Sequence, residues 1–160
     1  MLNTPDRSRL NYLSLVFLLL IAGLSGCAST PPEDAAPPAV HQPLLDIAVA
    51  QLGTPYRYGG STPRGFDCSG LVYYAYHRLG IRVPRSTLAQ YQHAQPVALK
   101  NLQPGDLIFF KRIFRSVSHV GIYAGNGRFI HAPSRGRVVS YDSLNDPYWN
   151  KRLVAAGRYD

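Results

Sequence analysis

The sequence contains little cysteine and little charge, and both shortages limit what the chain can be. Its 160 residues include two cysteines, and no close pair such as Cys-x-x-Cys or His-Glu-x-x-His occurs, so the ligand spacing typical of zinc sites is absent. Charged residues make up 16% and hydrophobic residues 46%, which excludes wholesale disorder and predicts one packed globular domain.

A concentrated positive charge is also lacking. The formal net charge is +8, but it is spread along the chain without a run of five or six basic residues. No basic cluster interleaved with aromatic side chains is present, so nucleic acid is not expected as a partner. The excess charge fits either a slightly basic surface or attraction to an anionic polymer.

The hydrophobic run near the N-terminus is too short for a membrane-spanning helix. Residues 13–24 are apolar except for Ser14 and Gly23, whereas a comfortable span needs ~20 apolar residues. Arg7 and Arg9 precede the run, and small residues follow it. This order of basic, apolar and small residues predicts a secretory signal peptide over residues 1–26.

The end of this segment resembles the bacterial lipobox. It reads Leu24-Ser25-Gly26-Cys27, which implies that Cys27 is lipidated and becomes the mature N-terminus. Ala28 follows in place of aspartate, a resemblance that favours the outer membrane of a Gram-negative cell, with the domain in the periplasm. An acylated Cys27 cannot form a disulfide, so Cys68 is then the one thiol of the mature chain.

A proline-rich linker is predicted between the lipid anchor and the domain. Residues 28–43 hold five prolines and few large apolar side chains. With the acylated cysteine, the linker region is 27–43, and His41 is expected to be solvated within it. The compact domain is then 44–160, and a monomer is expected.

Helices are predicted first in the domain and strands second, which is the pattern of an α+β fold. Apolar residues at helical spacing predict helices over 44–52 and 67–79, with Asp67 as N-cap, and a third over 87–93. Five segments rich in β-branched and aromatic residues predict an antiparallel sheet: 106–110, 119–124, 128–132, 137–141 and 153–158.

Cys68 is a candidate nucleophile because it falls in the first turn of the second predicted helix. There the unpaired N–H groups and the helix dipole favour an anion, so we expect them to lower the thiol pKa. The same N–H groups, that of Ser69 among them, can stabilise the oxyanion of an attacked carbonyl. Gly70 permits close approach in this turn. The alternative is a small cysteine buried in the core.

A nucleophilic cysteine needs a base nearby, and the chain offers five histidines. His77 lies on the cysteine helix, about 13 Å along it at ~1.5 Å per residue, which is too far. His93 is expected at a helix end. His119 and His131 lie in predicted strands and flank a hairpin, so they remain as the candidate pair.

The hairpin register decides whether these two histidines can meet. A two-residue turn at Asn126-Gly127 pairs Ile122 with His131 and puts His119 on the opposite face. A three-residue turn with a glycine bulge pairs Gly121 with His131 and puts both histidines on one face. A catalytic pair needs the second register, but the sequence leaves both open.

Several segments, in their order along residues 44–155, resemble the NlpC family of cell-wall cysteine peptidases. The segments are Thr54-Pro55-Tyr56-Arg57-Tyr58-Gly59-Gly60, Gly65-Phe66-Asp67-Cys68-Ser69-Gly70-Leu71-Val72, Pro84-Arg85, Pro104-Gly105-Asp106-Leu107, His119-Val120-Gly121-Ile122-Tyr123 and Phe129-Ile130-His131-Ala132. The resemblance implies a papain-like core, an antiparallel sheet of five to six strands, and no cofactor.

The resemblance also implies residue roles. Cys68 is the nucleophile, His119 the general base and His131 the residue that fixes the ring of His119. Tyr56 corresponds to a tyrosine beside the nucleophile, and Tyr56, Asp67 and Ser69 are taken as substrate or oxyanion residues. The expected activity is hydrolysis of amide bonds in peptidoglycan stem peptides or cross-links.

Three alternatives stay open on sequence alone. Cys68, His119 and His131 are acceptable zinc ligands. A degenerate fold gives a non-catalytic wall-binding lipoprotein. The same thiol chemistry with another acceptor gives an acyltransferase. The bond that is cut, D-glutamyl–diaminopimelate or a diaminopimelate–D-alanine cross-link, is not defined by the sequence.

Overall fold

The computed structural model describes residues 41–111 and 116–159. The signal peptide expected over residues 1–26 and the linker up to residue 40 lie outside these ranges. Within them, no helix has the length and apolar character needed to cross a membrane.

Four α-helices are present in the described ranges, and three of them were predicted. They are α1 His41–Val49, α2 Cys68–Arg78, α3 Thr87–His93 and α4 Pro147–Asn150. Helix α2 begins as expected, because Asp67 caps it by accepting a hydrogen bond from the Gly70 amide at 2.7 Å.

The first helix begins earlier than predicted, and His41 is not a solvated linker residue. Its side chain is fully buried on α1 together with those of Leu44 and Ala48. The Nδ1 atom of His41 lies 4.0 Å from a carboxylate oxygen of Asp106, which is also fully buried. The prolines and the scarcity of large apolar side chains predicted a linker here, whereas residues 41–43 form the first turn of α1 and His41 is buried.

A six-stranded antiparallel sheet carries the rest of the domain. Two short strands, β1 Ser61–Thr62 and β2 Gly65–Phe66, pair separately. The main sheet has the order β3-β8-β4-β5-β6-β7. Its strands are β3 Gln95–Val97, β4 Leu107–Phe110, β5 His119–Gly125, β6 Arg128–His131, β7 Ser140–Ser143 and β8 Leu153–Arg158. The predicted α+β class is confirmed.

Alternation along the strands gives the sheet two apolar faces. Leu107, Phe109 and Val120 belong to the larger core, which helices α1 and α2 cover. Ile108, Phe110, Phe129 and Ala156 point the other way and pack against Trp149 of α4 in a smaller core. The first residues of β5 lie close to both, and this end of the sheet carries the candidate site.

Candidate active site

Cys68 is the first residue of α2, and its sulfur faces hydrogen-bond donors from three elements. The Thr87 hydroxyl of α3 lies 3.5 Å from the sulfur. The backbone N–H groups of Val120 and Ser69 also point to it. Burial raises the pKa of the Cys68 thiol, and these donors only partly offset that effect. The lowering expected from the helix start is therefore wrong in net direction.

A compact polar network holds the turn that carries Cys68. Arg85 donates to both carboxylate oxygens of Asp67, at 2.9 and 2.7 Å, and to the Ser69 hydroxyl at 3.0 Å. Burial raises the pKa of Asp67, but the bonds from Arg85 and from the Gly70 amide outweigh it and hold the pKa below its usual value. Asp67 is thus ionised and bound on several sides.

Gly70 is needed for close packing in this turn, as the sequence suggested. A Cβ atom at this position would collide with the carbonyl oxygen of Gly60. The same carbonyl accepts a hydrogen bond from Arg85 at 3.1 Å and another from the Asp67 amide at 3.1 Å. A side chain at residue 70 would push the loop that contains Gly60 away from the start of α2.

His119 and His131 meet, as a catalytic pair requires. Nε2 of His119 lies 2.7 Å from Nδ1 of His131, and both residues are buried. The rings cross edge to face, with centroids 5.0 Å apart and an interplanar angle of 83°. The sulfur of Cys68 faces the amide of Val120, the residue next to His119, so the thiol lies beside the first residues of β5.

The hairpin combines parts of both predicted arrangements. Gly125 pairs with Arg128 around a two-residue turn, in which Asn126 and Gly127 have φ values of 51° and 70°. A bulge then shifts the register, so that Ile122 pairs with Ile130. The bulge accommodates one extra residue in β5. Beyond it, the two strands have the register that puts both histidines on one face of the sheet.

Two further residues complete the histidine pair, and sequence reasoning missed both. The Oδ2 atom of Asp142 lies 2.9 Å from Nε2 of His131. Trp149 donates from Nε1 to the same oxygen at 2.9 Å. The hydrogen bond from His131 lowers the pKa of Asp142, so its carboxylate is ionised. Asp142 sits diagonally across from His131 because His131 pairs with Ser140.

An open groove of about 510 Å³ lies over the sulfur. Its lining includes Tyr56, Tyr58, Cys68, Arg85, Thr87 and Ser118. Tyr56 is held there through its backbone, whose N–H donates to the carbonyl of Arg137 at 2.8 Å. The volume falls in the range of ligand-binding clefts, ~300–1,000 Å³.

The zinc alternative finds no support in the geometry. In residues 41–111 and 116–159, no group of three or more histidine, cysteine, aspartate or glutamate side chains is arranged to hold a metal ion. Nε2 of His119 and Nδ1 of His131 are turned toward each other at hydrogen-bond distance, which leaves neither atom directed at a shared ion.

An α+β domain with a cysteine at the start of a helix that packs on an antiparallel sheet defines the class of papain-like domains. The chain belongs to the NlpC/P60 family, whose model matches residues 53–158. Both the family and the fold predicted from the sequence are confirmed.

Individual relatives agree with this assignment. The murein DD-endopeptidase MepH of Escherichia coli is 49% identical over 119 residues, 71% of this chain and 44% of that protein. The gamma-DL-glutamyl hydrolase of Bacillus subtilis is 43% identical over 129 residues, 79% of this chain and 31% of its own length. The chain thus spans less than half of these two relatives.

A solved structure shows the same fold. The crystal structure of an NlpC/P60 family protein from Bacillus cereus superposes with a TM-score of 0.72 at 37% identity, covering 78% of this chain and 41% of that one.

Proposed function

We propose that this protein is a peptidoglycan endopeptidase that hydrolyses amide bonds in wall stem peptides or cross-links, with Cys68 as the nucleophile. The observation that carries the proposal is the hydrogen bond between His119 and His131 beside the strand residue whose amide faces the Cys68 sulfur. His119 acts as the general base, and His131 holds its ring. A thiol nucleophile requires such a base within reach and a third group that orients the base.

The raised pKa of Cys68 shapes the mechanism. Because burial raises the pKa of the thiol, the free sulfur keeps its proton at neutral pH. His119 takes this proton as the sulfur attacks the scissile carbonyl, and the C–N bond then breaks as the leaving amine receives the proton from His119. Water, activated by the same histidine, cleaves the resulting thioester and restores the thiol.

The residues around the sulfur take supporting roles in this proposal. The Ser69 amide in the first turn of α2 is suited to donate to the oxyanion, since it already points at the sulfur. Tyr56 lines the groove from the opposite loop and is assigned to substrate contact. Asp67 acts indirectly, because its carboxylate is bound to Arg85, Ser69 and Gly70 and orders the turn.

The names of the relatives support a peptide of the cell wall as the substrate. One is named a murein DD-endopeptidase, another a gamma-DL-glutamyl hydrolase, and a third the probable endopeptidase p60 of Listeria innocua. The first name specifies murein and the second a glutamyl bond. The open groove over the Cys68 sulfur is the place where we expect the wall peptide to bind.

The test is digestion of purified muropeptides, with mass-spectrometric identification of the new termini. Wild-type protein should release products, and Cys68→Ala and His119→Ala should each lower the rate at least roughly a thousandfold, because the residues act as a unit. His93→Ala is the matched control, since His93 is exposed on α3 and bonds its own helix. Full activity of Cys68→Ala would end the peptidase proposal.

We also propose a lipid anchor at Cys27, supported by the Leu24-Ser25-Gly26-Cys27 motif. The domain would then act from the periplasmic side of the outer membrane of a Gram-negative cell. Cys27→Ala should block lipidation and leave the precursor uncleaved before residue 27. The readout is the mass and membrane fraction of the expressed protein. A processed Cys27→Ala protein that stays membrane-bound would refute the anchor.

A further inference from the structure

A carboxylate and an indole extend the histidine pair beyond the groups that the peptidase mechanism needs. His119, His131 and Asp142 form a continuous line of hydrogen bonds of 2.7 and 2.9 Å, and Trp149 donates to its last oxygen. We propose that Asp142, oriented by Trp149, is a positioning residue that sets the tautomer of both histidines. The inference deepens the proposed function and rests on it.

When both imidazoles are neutral, only one placement of their protons satisfies this line of hydrogen bonds. The ionised carboxylate of Asp142 can only accept, so Nε2 of His131 carries a proton. A neutral imidazole has one donor and one acceptor, so Nδ1 of His131 accepts. Nε2 of His119 must then donate to it. The lone pair that remains on His119 is that of Nδ1, and this atom receives the thiol proton.

Trp149 fixes the geometry of the line at three points. Its ring stacks on His119, with centroids 5.2 Å apart and an interplanar angle of 27°. It also meets the His131 ring edge to face at 4.9 Å. Its N–H fills the second acceptor direction of the Asp142 oxygen at 2.9 Å. One side chain, 6% exposed, therefore restrains both rings and the carboxylate.

The carboxylate also has an effect on charge during the reaction. When His119 takes the thiol proton, the histidine pair becomes cationic, and a negative charge two hydrogen bonds away stabilises it. Among the charged and titratable groups near this line, Cys68 of α2 faces the start of β5, and Arg137 helps to lower the pKa of Asp142. Asp142 is therefore an anion at neutral pH.

Nitrogen-15 NMR of full-length protein labelled at histidine tests the tautomers directly. In wild-type protein at neutral pH, both His119 and His131 should show a protonated Nε2 and an unprotonated Nδ1. A protonated Nδ1 on neutral His131 would overturn the proposal. This measurement needs no variant, so it decides the point even if a substitution prevents folding.

Two substitutions separate the role of the acceptor from that of the charge. Asp142→Asn should keep the wild-type tautomers, because the Trp149 N–H turns the amide oxygen toward His131. Asp142→Leu removes the acceptor, so it should mix the His131 tautomers and lower muropeptide turnover at least about tenfold. Wild-type tautomers and turnover in Asp142→Leu would overturn the proposal. Asp146→Asn is the matched control, since Asp146 caps α4 and asparagine also caps.

The two readouts keep this inference distinct from the proposed function. Wild-type protein with the expected tautomers but no muropeptide cleavage would refute the peptidase function and support the role of Asp142 in ordering the histidines. An active wild-type enzyme with the opposite tautomers would refute the role of Asp142 and support the peptidase function.

Discussion

Burial and hydrogen bonding oppose each other at the Cys68 sulfur. Burial raises the thiol pKa, whereas the Thr87 hydroxyl and the amides of Val120 and Ser69 favour the thiolate. Burial outweighs the donors, so the position of a cysteine at a helix start does not by itself give a resting thiolate. In the proposed mechanism, attack then depends on His119, so the tautomers of the histidines matter as much as the state of the sulfur.

His131 should matter less than His119, because in the proposed mechanism it orients a ring and transfers no proton to the substrate. We expect His131→Ala to lower the initial rate of muropeptide cleavage roughly ten- to a hundredfold, less than Cys68→Ala. His131→Gln should recover part of the loss, since an amide can still accept from His119. Equal rates for His131→Ala and wild type would show that His131 has no part in catalysis.

Asp67 should make the domain sensitive to acid. Its pKa is lowered in the folded state by Arg85 and the Gly70 amide against burial, so it stabilises the fold above its unfolded pKa of ~3.9. This contribution is lost as the pH falls through the lower, folded pKa. Asp67→Asn should therefore be less stable than wild type at pH 7, and the difference should shrink at the lowest accessible pH.

Chemical denaturation across this pH range measures the effect. Asp46→Asn is the control, because Asp46 is exposed on α1 and accepts from Gln42 at 2.9 Å, outside the Arg85 network. A constant difference between wild type and Asp67→Asn from neutral to acid pH would contradict the assignment of a lowered pKa to Asp67.

Among the elements, the hairpin of β5 and β6 shows how far the sequence could predict the site. The alternation of side chains along the strands and the Asn-Gly turn allowed two registers, one with a two-residue loop and one with a three-residue loop. The molecule uses the short loop and corrects the register with a bulge before Gly125. Bulges depend on packing of both strands, which is why the sequence left the choice open.

Short elements were missed for related reasons. Helix α4 has four residues, too few for a periodic pattern, and its Asp146-Pro147 start is also typical of a turn. Strand β3 contains Pro96, which argues against a strand, yet as an edge strand it needs fewer donors. Trp149 and Asp142 lie on α4 and on the displaced β7, so their part in the site was not predictable.

The displaced strand has a specific cause. Residues 137–141 were predicted as a strand from Val138 and Val139, but β7 is Ser140–Ser143. The two valines contact a loop instead: Val138 bridges Pro55, and the Val139 amide donates to the carbonyl of Thr54 at 2.8 Å. Local propensity indicated a strand at these valines but could not identify their partner, which is a loop and not a strand.

The hairpin turn should be sensitive to a β-branched residue at Gly127. Its φ of 70° is left-handed, and the space around it is open, with the nearest atom 3.6 Å from an added Cβ. Gly127→Val should therefore lower the free energy of unfolding by about 1–2 kcal/mol through backbone strain. Asn126→Gly, at the other turn position, should stay within about 0.5 kcal/mol of wild type. A neutral Gly127→Val would contradict the turn geometry.

At the scale of the domain, the two faces of the sheet have different roles. The face under α1 and α2 supplies the larger core and brings Cys68 to the sheet, whereas the Trp149 face holds the histidine line. Cys68 therefore reaches the start of β5 from the larger core, whereas His119, the first residue of β5, stacks on Trp149 of the smaller core. In the proposed mechanism, stability and catalysis are coupled at this end, because loosening either face moves one of the two groups.

The boundary between linker and domain gives a test at the scale of the chain. Proline content predicted a linker through residue 43, but the side chains of His41 and Leu44 are fully buried. The backbone of His41 also packs closely on Gly105, where an added Cβ atom would lie 2.8 Å from the Cα of His41. Deleting residues 30–39 should leave the melting temperature unchanged, since it removes none of these contacts.

Extending that deletion through residue 44 should lower the melting temperature sharply. It removes two fully buried side chains and exposes Asp106, which now lies 4.0 Å from His41. Loss of a large buried apolar side chain alone costs ~2–5 kcal/mol. Thermal unfolding of the two deletion proteins beside wild type measures the difference. Equal melting temperatures for both deletions would mean that residues 40–44 add nothing to the stability of the domain, in conflict with the burial of His41 and Leu44.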